Sequence, residues 1–540
     1  MSPAATITWN QPLYPTNSVA LSALAAAAPL VLVLVLMGGF RKSGLVASLS
    51  GLALAIGLAI GVWRMPCTMV LWGIGHGCVY ALWPIMWIVF AGLWLYNLCV
   101  RTGKFALLSQ WMAEHASGDP CVQALLVAFC FGALLESCAG FGAPVAVTAC
   151  LLAGLGFEPR RAVIVALIAN TAPVGFGGMG IPIVALRDAT QLDLNQLSAM
   201  VGRQLPFLSL IIPCCLVWVV GGRSGLKRCW PAALVCGGSY ALVQFLVSNF
   251  WGPYAADILA ASVSIGVTVA FLRVWTPGRQ PAAPGSAPAQ PLAASAPLSL
   301  QAATSAWLPW VLLTVVMVGW SVLKLFRKGE LVVHIAPLEH IFITLYQKPY
   351  AAVYYFRPLE VGTAVTVATA LAALFLRAGW QTSRQAAAES FRQVRLPTLT
   401  VMLIVGLAYL YNYSGMAYTL GAAMSRLGPA FPIASSYLGW IACFLSGSDT
   451  ASNLLFGNLQ VAAAQQLHLS PVLLAATNSS GGVISKMISP QNIAVGVTTV
   501  GLVGQEGRIL RATFWPSVLL AALLGLLSFA QAYWLSWMIP

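Results

Sequence analysis

The 540-residue chain is 59% apolar and only 7% charged, where soluble globular proteins carry roughly 25% charged residues. So little charge cannot cover a surface that faces water, and the composition excludes an ordinary soluble domain. The net charge of +14 does not mark a nucleic-acid binder, because the basic residues cluster at the ends of apolar stretches, as they do on cytoplasmic loops. These clusters are Arg41/Lys42, Arg101/Lys104, Arg160/Arg161, Arg223/Lys227/Arg228 and Arg377/Arg384/Arg392/Arg395.

The first apolar stretches, 19–37 and 44–62, are nearly uncharged and long enough for a helix to cross about 30 Å of hydrocarbon. Without water in the bilayer core each must satisfy its own backbone, so helices are expected. The alternation of a membrane β-barrel is absent. Counting by length predicts roughly 12–14 transmembrane or re-entrant helical segments, an all-α polytopic membrane protein. The first eighteen residues hold no Lys or Arg, which places the N-terminus outside and the first loop inside. With no basic leader, the first stretch reads as a retained helix. Twelve cysteines are scattered, none in a C-x-x-C pair, and read as small packing residues rather than metal or disulfide sites.

Residues 277–304, rich in Ala, Pro and Ser, read as a flexible linker between a first membrane half (1–276) and a second (305–540). The polar, tyrosine-rich stretch 326–358 reads as an extramembrane connection along the interface. The halves share a pattern. Asn170-Thr-Ala-Pro-Val-Gly-Phe-Gly-Gly-Met-Gly-Ile-Pro182 and Asn478-Ser-Ser-Gly-Gly-Val-Ile-Ser-Lys-Met-Ile-Ser-Pro490 lie 308 positions apart. The same offset relates Arg203 to Arg511 and Gly140-Phe-Gly142 to Ser448-Asp-Thr450. With a small shift, Arg101-Thr-Gly103 resembles Tyr413-Ser-Gly415. Paired interruptions in corresponding positions point to inverted repeats with a binding site between them. The repeat cores run over about 100–220 and 410–525.

Two acidic residues lie deep in apolar surroundings. Glu136 opens Glu136-Ser-Cys-Ala-Gly-Phe-Gly-Ala-Pro144, and Asp449 sits among Ser446, Ser448, Thr450, Ser452 and Asn453. A charge at mid-membrane costs about 2.5–3.5 kcal/mol on insertion scales, so such residues face a cavity, a partner or a proton path. Both are candidate proton-coupling groups. Broken helices at membrane depth line a cavity or lie inside protein. A restarting helix offers free N–H groups to an anion, and helix-packing glycine is the alternative account of the same stretches. Lys486 either complements a bound carboxylate or pairs with Glu136 or Asp449. The candidate substrate-binding set is Gly140, Gly142, Asn170, Thr171, Gly178, Ser448, Thr450, Asn453, Asn478, Ser479, Lys486, Ser489 and Gln491. His76 reads as a packing or hydrogen-bonding residue. Arg187 and Asp188 are expected to snorkel toward headgroups at the end of a span, and Arg203 and Arg511 to anchor theirs.

At these motifs the sequence resembles the L-lactate permease family. The stretches that carry the resemblance are Glu136 through Val147, Asn170-Thr-Ala-Pro173 with Met179-Gly-Ile-Pro182, Gly202-Arg-Gln-Leu-Pro-Phe207, Ser446-Gly-Ser-Asp-Thr450 and Asn478 through Gln491. The similarity runs from Trp9 to Pro540. Departures fall at Cys138, at 478–480 and in 326–358, and bear on the preferred hydroxy acid. The resemblance implies a secondary transporter of the bacterial cytoplasmic (inner) membrane. It would import L-lactate, D-lactate or glycolate by proton symport. Its partners would be a small 2-hydroxymonocarboxylate, the proton and the lipid bilayer. No cofactor, metal or nucleic acid is expected, and a homo-oligomer is compatible with the sequence. A sodium-coupled organic-anion carrier is the rival within transport. An intramembrane enzyme would need D-D-x-x-D or H-x-x-x-x-D, and neither occurs; His115…Asp119 is one residue short.

Overall fold

The structure, a computed structural model, describes residues 9–36, 40, 42–115, 119–138, 143–276, 298–325, 328–345, 348–350, 352–502 and 504–540. Among these, nine helices are long and apolar enough to cross a membrane, and Val19–Val33, Pro144–Gly154 and Val361–Phe375 are shorter apolar helices. Polarity is reversed relative to a soluble protein. Leu71, Trp218, Phe250, Trp515 and Leu519 face outward, while Glu136, Asp257, Asp449 and Lys486 are buried. An exterior of this kind suits acyl chains, which accept apolar side chains but no unpaired backbone groups.

The longest helix, Leu205–Phe250, would span about 69 Å if straight at 1.5 Å per residue. It breaks at Gly222, which has φ 60°, beside the basic group Arg223/Lys227/Arg228. The two legs return against each other, Ser209 donating to Gln244 at 2.9 Å. Leu205–Phe250 is thus a helical hairpin with its charged turn at an end. Helix Leu300–Val322 begins inside the stretch read as a linker; 277–297 lie outside the described residues.

The described residues of 326–358 form short strands. Leu331–His334 pairs antiparallel with Val353–Phe356. Ile341–Ile343 lies between Trp9–Asn10, parallel, and Lys348–Pro349, antiparallel. Valine and tyrosine favour the extended backbone, and these short strands cap one end of the helical body.

At the offset of 308 the helix order recurs. Gly132–Cys138, Ala143–Gly154, Pro159–Ala169 and Gly177–Thr190 run in the same succession as Phe431–Ser446, Asp449–Gln466, Pro471–Ser485 and Pro490–Thr499. The closest crossing in the second set joins Phe431–Ser446 to Pro471–Ser485. A Cβ on Gly439 would stand 1.9 Å from the Asn478 carbonyl oxygen, and one on Gly481 would stand 2.2 Å from that of Ser436. These are backbone atoms and cannot rotate away. Gly481→Ala is expected to lower stability by about 1–3 kcal/mol through overpacking, read as a fall in melting temperature of the purified protein. Gly57→Ala, where a Cβ meets nothing within 4 Å, should melt at or above the wild-type temperature, since alanine is the better helix former.

Candidate functional site

Three segments converge on Glu136. Glu136 lies on the Gly132–Cys138 helix, and its Oε1 accepts from Lys486 Nζ at 2.5 Å. Its Oε2 accepts from Asn170 Nδ2 at 2.9 Å. Glu136 is 2% exposed and Lys486 6%. Neither charge is tolerable alone at such burial, and together they neutralise each other. Of the two carboxylate side chains open to Lys486 in the sequence, the structure pairs it with Glu136. Lys486 also stands within electrostatic reach of Asp449.

The local backbone explains how these groups meet. Asn170 ends the Pro159–Ala169 helix, and a turn leads to Gly177–Thr190. Within that helix Gly178, Met179 and Gly180 all take positive φ, at 52°, 60° and 78°. Glycine reaches this region freely, so the sequence permits a short left-handed step where an ordinary helix would continue. Gly177 lies against Glu136, since a Cβ there would stand 3.1 Å from Oε1. Across the interface Lys486–Ile488 forms a single 3₁₀ turn. Ser489 then extends (ψ 127°) before Pro490 opens the next helix. Asn492 Nδ2 ties the turn by donating to the Lys486 carbonyl at 3.1 Å.

The second interruption is therefore shorter than the sequence pattern suggests. Asn478 does not open a break: it lies inside the continuous helix Pro471–Ser485. Gly481 continues the helix because a close crossing requires it, and only the Lys486–Ser489 part departs from helical geometry. The packing reading of those glycines holds here, and the broken-helix reading holds at 177–180.

A second polar cluster surrounds Asp449. Gly447, with φ 69°, ends the Phe431–Ser446 helix, and Ser448 caps the next by accepting from the Ala451 N–H. Asp449 Oδ2 accepts from Ser479 Oγ at 2.9 Å and from Asn453 Nδ2 at 3.4 Å. Asn453 also donates to the Pro182 carbonyl at 3.1 Å, joining this cluster to the left-handed step of the first half. Asn478 Nδ2 donates to Asn453 Oδ1 at 3.0 Å. Buried Asp449 Oδ1, Asn170 Oδ1, Ser480 Oγ and Ser489 Oγ have no hydrogen-bond partner. A buried polar atom left in this condition costs free energy, and such atoms mark where a polar ligand would be rewarded.

Among the candidates, Glu136, Asn170 and Lys486 form one group, and Asp449, Asn453, Asn478 and Ser479 the other. Thr171 bonds back to the Leu167 carbonyl of its own helix, Ser448 acts as a cap, and Gln491 is exposed beside Gly447. Gly140 and Gly142 lie outside the described residues. Gly178 serves the backbone, and Thr450 is buried at the start of its helix.

Sequence reasoning missed a third set. Arg187 and Asp188 do not snorkel toward headgroups. They line an internal cavity with His76, Tyr80, Tyr409 and Asn412, covered by Tyr354 and Arg357 of the capping strands. Asp188 accepts from Arg187 Nε and from the Tyr80 hydroxyl. His76 Nδ1 meets the Tyr413 hydroxyl at 2.8 Å, in keeping with a hydrogen-bonding role. The signal that would have found this set is Arg-Asp beside a tyrosine-rich loop, but the segments are far apart in the chain. Arg203 donates to Asn249 and to the Met538 carbonyl, which anchors the start of its helix.

A family model described as L-lactate permease matches residues 22–535. The chain is 40% identical over 559 aligned residues to the glycolate permease GlcA of Escherichia coli (strain K12), covering 98% of each chain. It is 39% identical to an L-lactate permease of Bacillus subtilis (strain 168), covering 98% of this chain and 100% of the other. An L-lactate permease of Escherichia coli (strain K12) is 38% identical with the same coverage. Among solved structures, the Alcanivorax borkumensis YdaH transporter aligns with a TM-score of 0.44 at 15% identity, over 86% of this chain and 88% of that one. With full-length matches at this identity, an exterior of apolar helices and buried polar clusters, the chain is a multi-pass membrane protein that belongs to the L-lactate permease family.

Proposed function

We propose that the protein imports L-lactate and related 2-hydroxymonocarboxylates, including D-lactate and glycolate, across the bacterial cytoplasmic membrane by proton symport. The relatives' names as lactate and glycolate permeases support the substrate class. The observation that carries the coupling is the buried Lys486–Glu136 pair, shared with Asn170. While Glu136 is ionised it occupies Lys486. A proton on Glu136 removes that claim and releases the ammonium to a substrate carboxylate, and Asn170 Oδ1 or Ser489 Oγ can take the hydroxyl. The proton offsets the negative charge the substrate brings, so the loaded site crosses at lower electrostatic cost. Asp449 is a second candidate carrier of the proton, with Ser479 and Asn453 holding its other oxygen. Transport rather than catalysis is the activity. We read 1–276 and 305–540 as related halves in inverted orientation that meet at this pair.

A sodium-coupled alternative draws on the oxygen-rich surroundings of Asp449, where Ser479 Oγ and the Pro182 carbonyl lie close by. Lactate uptake that requires sodium at fixed pH would favour it.

Glu136→Gln is expected to abolish lactate accumulation driven by an imposed pH gradient in proteoliposomes, while exchange of labelled for unlabelled lactate persists. Continued accumulation by that variant rules out Glu136 as the proton carrier. In the wild type, half-saturating lactate should fall as the external pH falls, by up to about tenfold per pH unit if one proton must bind with the substrate; in Glu136→Gln it should be flat. For stability, Lys486→Met alone strands a buried carboxylate and is expected to cost about 3–5 kcal/mol. The double variant Glu136→Gln/Lys486→Met should recover most of that loss, read from melting temperatures of the purified proteins.

A further inference from the structure

The cavity under the capping strands is not used by the coupling scheme, and its chemistry is specific. The Nε of Arg187 is engaged by Asp188, and both oxygens of Asp188 are taken, by Arg187 and Tyr80. No hydrogen bond engages the two terminal amino groups of Arg187 among the described residues. Arg357, by contrast, is held by Glu330 at 2.5 Å and by Glu360 at 3.6 Å. On the opposite wall Tyr409 and Asn412 stand one helical turn apart on one face. Asn412 is 3% exposed and its Oδ1 has no partner. The ring of Tyr409 packs edge-on to His76, with centroids 4.7 Å apart. A guanidinium edge with no hydrogen bond, which Glu360 on the same cavity reaches only through its charge, an unpartnered amide oxygen and aromatic walls are what a carboxylate, an α-hydroxyl and a short alkyl group each require.

Position adds a second argument. Arg187 lies five residues beyond Pro182 on the Gly177–Thr190 helix, and the Pro182 carbonyl touches Asn453 of the central cluster. At 1.5 Å per residue this is about 8 Å along the axis. The cavity lies against the Val353–Phe356 strand, and we take this to be its entry side. Its space for water-sized groups is about 30 Å³, enough for about two waters and so for the oxygens of a carboxylate. Admission of a whole hydroxy acid requires the Leu331–His334/Val353–Phe356 ladder to shift outward.

Resting on the substrate class proposed above, we propose that this cavity is a second, entry-side binding site for a small 2-hydroxymonocarboxylate. Arg187 receives the carboxylate, Asn412 receives the hydroxyl, and the acid then moves inward to Lys486. The acid binds here before it meets the coupling pair, and the site distinguishes hydroxy acids from simple ones.

The test is equilibrium binding of labelled lactate and labelled propionate to the purified full-length protein, with melting curves on every variant. Asn412→Leu should weaken lactate about tenfold, the worth of one neutral hydrogen bond, and leave propionate unchanged. Arg187→Gln should weaken both acids alike. Tyr409→Leu removes the aromatic wall assigned to the alkyl group and carries the test if either variant melts early; weaker binding of both acids by it supports the site. Native melting with wild-type affinities for both acids in these variants overturns the second site alone. Wild-type protein that binds neither acid overturns it together with the assigned substrate class.

Discussion

A lysine and a glutamate withdrawn from water are stable only while each neutralises the other, and the geometry at the centre of this protein follows from that requirement. Glu136 is presented near the end of the helical run Pro120–Cys138 and Lys486 by a 3₁₀ turn 350 residues later. For the two to meet at 2.5 Å, the segments that pack around them depart from regular helix. The left-handed step at 178–180 follows Gly177, which lies against Glu136, and the extended Ser489 follows the turn that carries Lys486. Each leaves polar backbone in a region without water, and each is tolerated because it is enclosed by other helices rather than by lipid. Asn170 completes the arrangement by occupying the second carboxylate oxygen.

The polar clusters and the packing glycines form one system. Gly439 and Gly481 let two helices of the second half approach backbone to backbone. That approach sets Ser479 and Asn478 against Asp449 and Asn453, which in turn reach Pro182 of the first half. Small residues at a helix crossing thus do more than fill space: they determine which side chains can form hydrogen bonds across it. The same crossing leaves Asp449 Oδ1 directed at Gly482 without a partner, so the interior holds unspent hydrogen-bonding capacity beside a charge.

Much of this was legible in the chain itself. Scarce charge and long apolar runs identified a helical membrane protein, and Glu136 and Asp449 stood out because carboxylates in such surroundings are costly. The likeness of 170–182 to 478–490 drew attention to two segments that the structure brings beside Glu136 and Asp449. It misled on one point. Asn478 occupies the place of Asn170 in the pattern, yet the first ends a helix and the second lies within one. Glycine breaks one helix and permits a tight crossing in another, and the residues alone do not separate the two uses.

Local chemistry determined the spans, the basic turns between them, the capping serines and the positions where helix could fail, because each depends on a few neighbouring residues and on the cost of leaving water. Pairing was decided only by the tertiary structure. Lys486 had two carboxylate side chains within chemical reason, and its pairing with Glu136 rather than Asp449 depends on how the helices approach. Arg187 and Asp188 looked like the exposed end of a span. They are internal because strands more than 140 residues later in the chain, Leu331–His334 and Val353–Phe356, fold back over them, and burial imposed from so far away leaves no trace in the residues beside it.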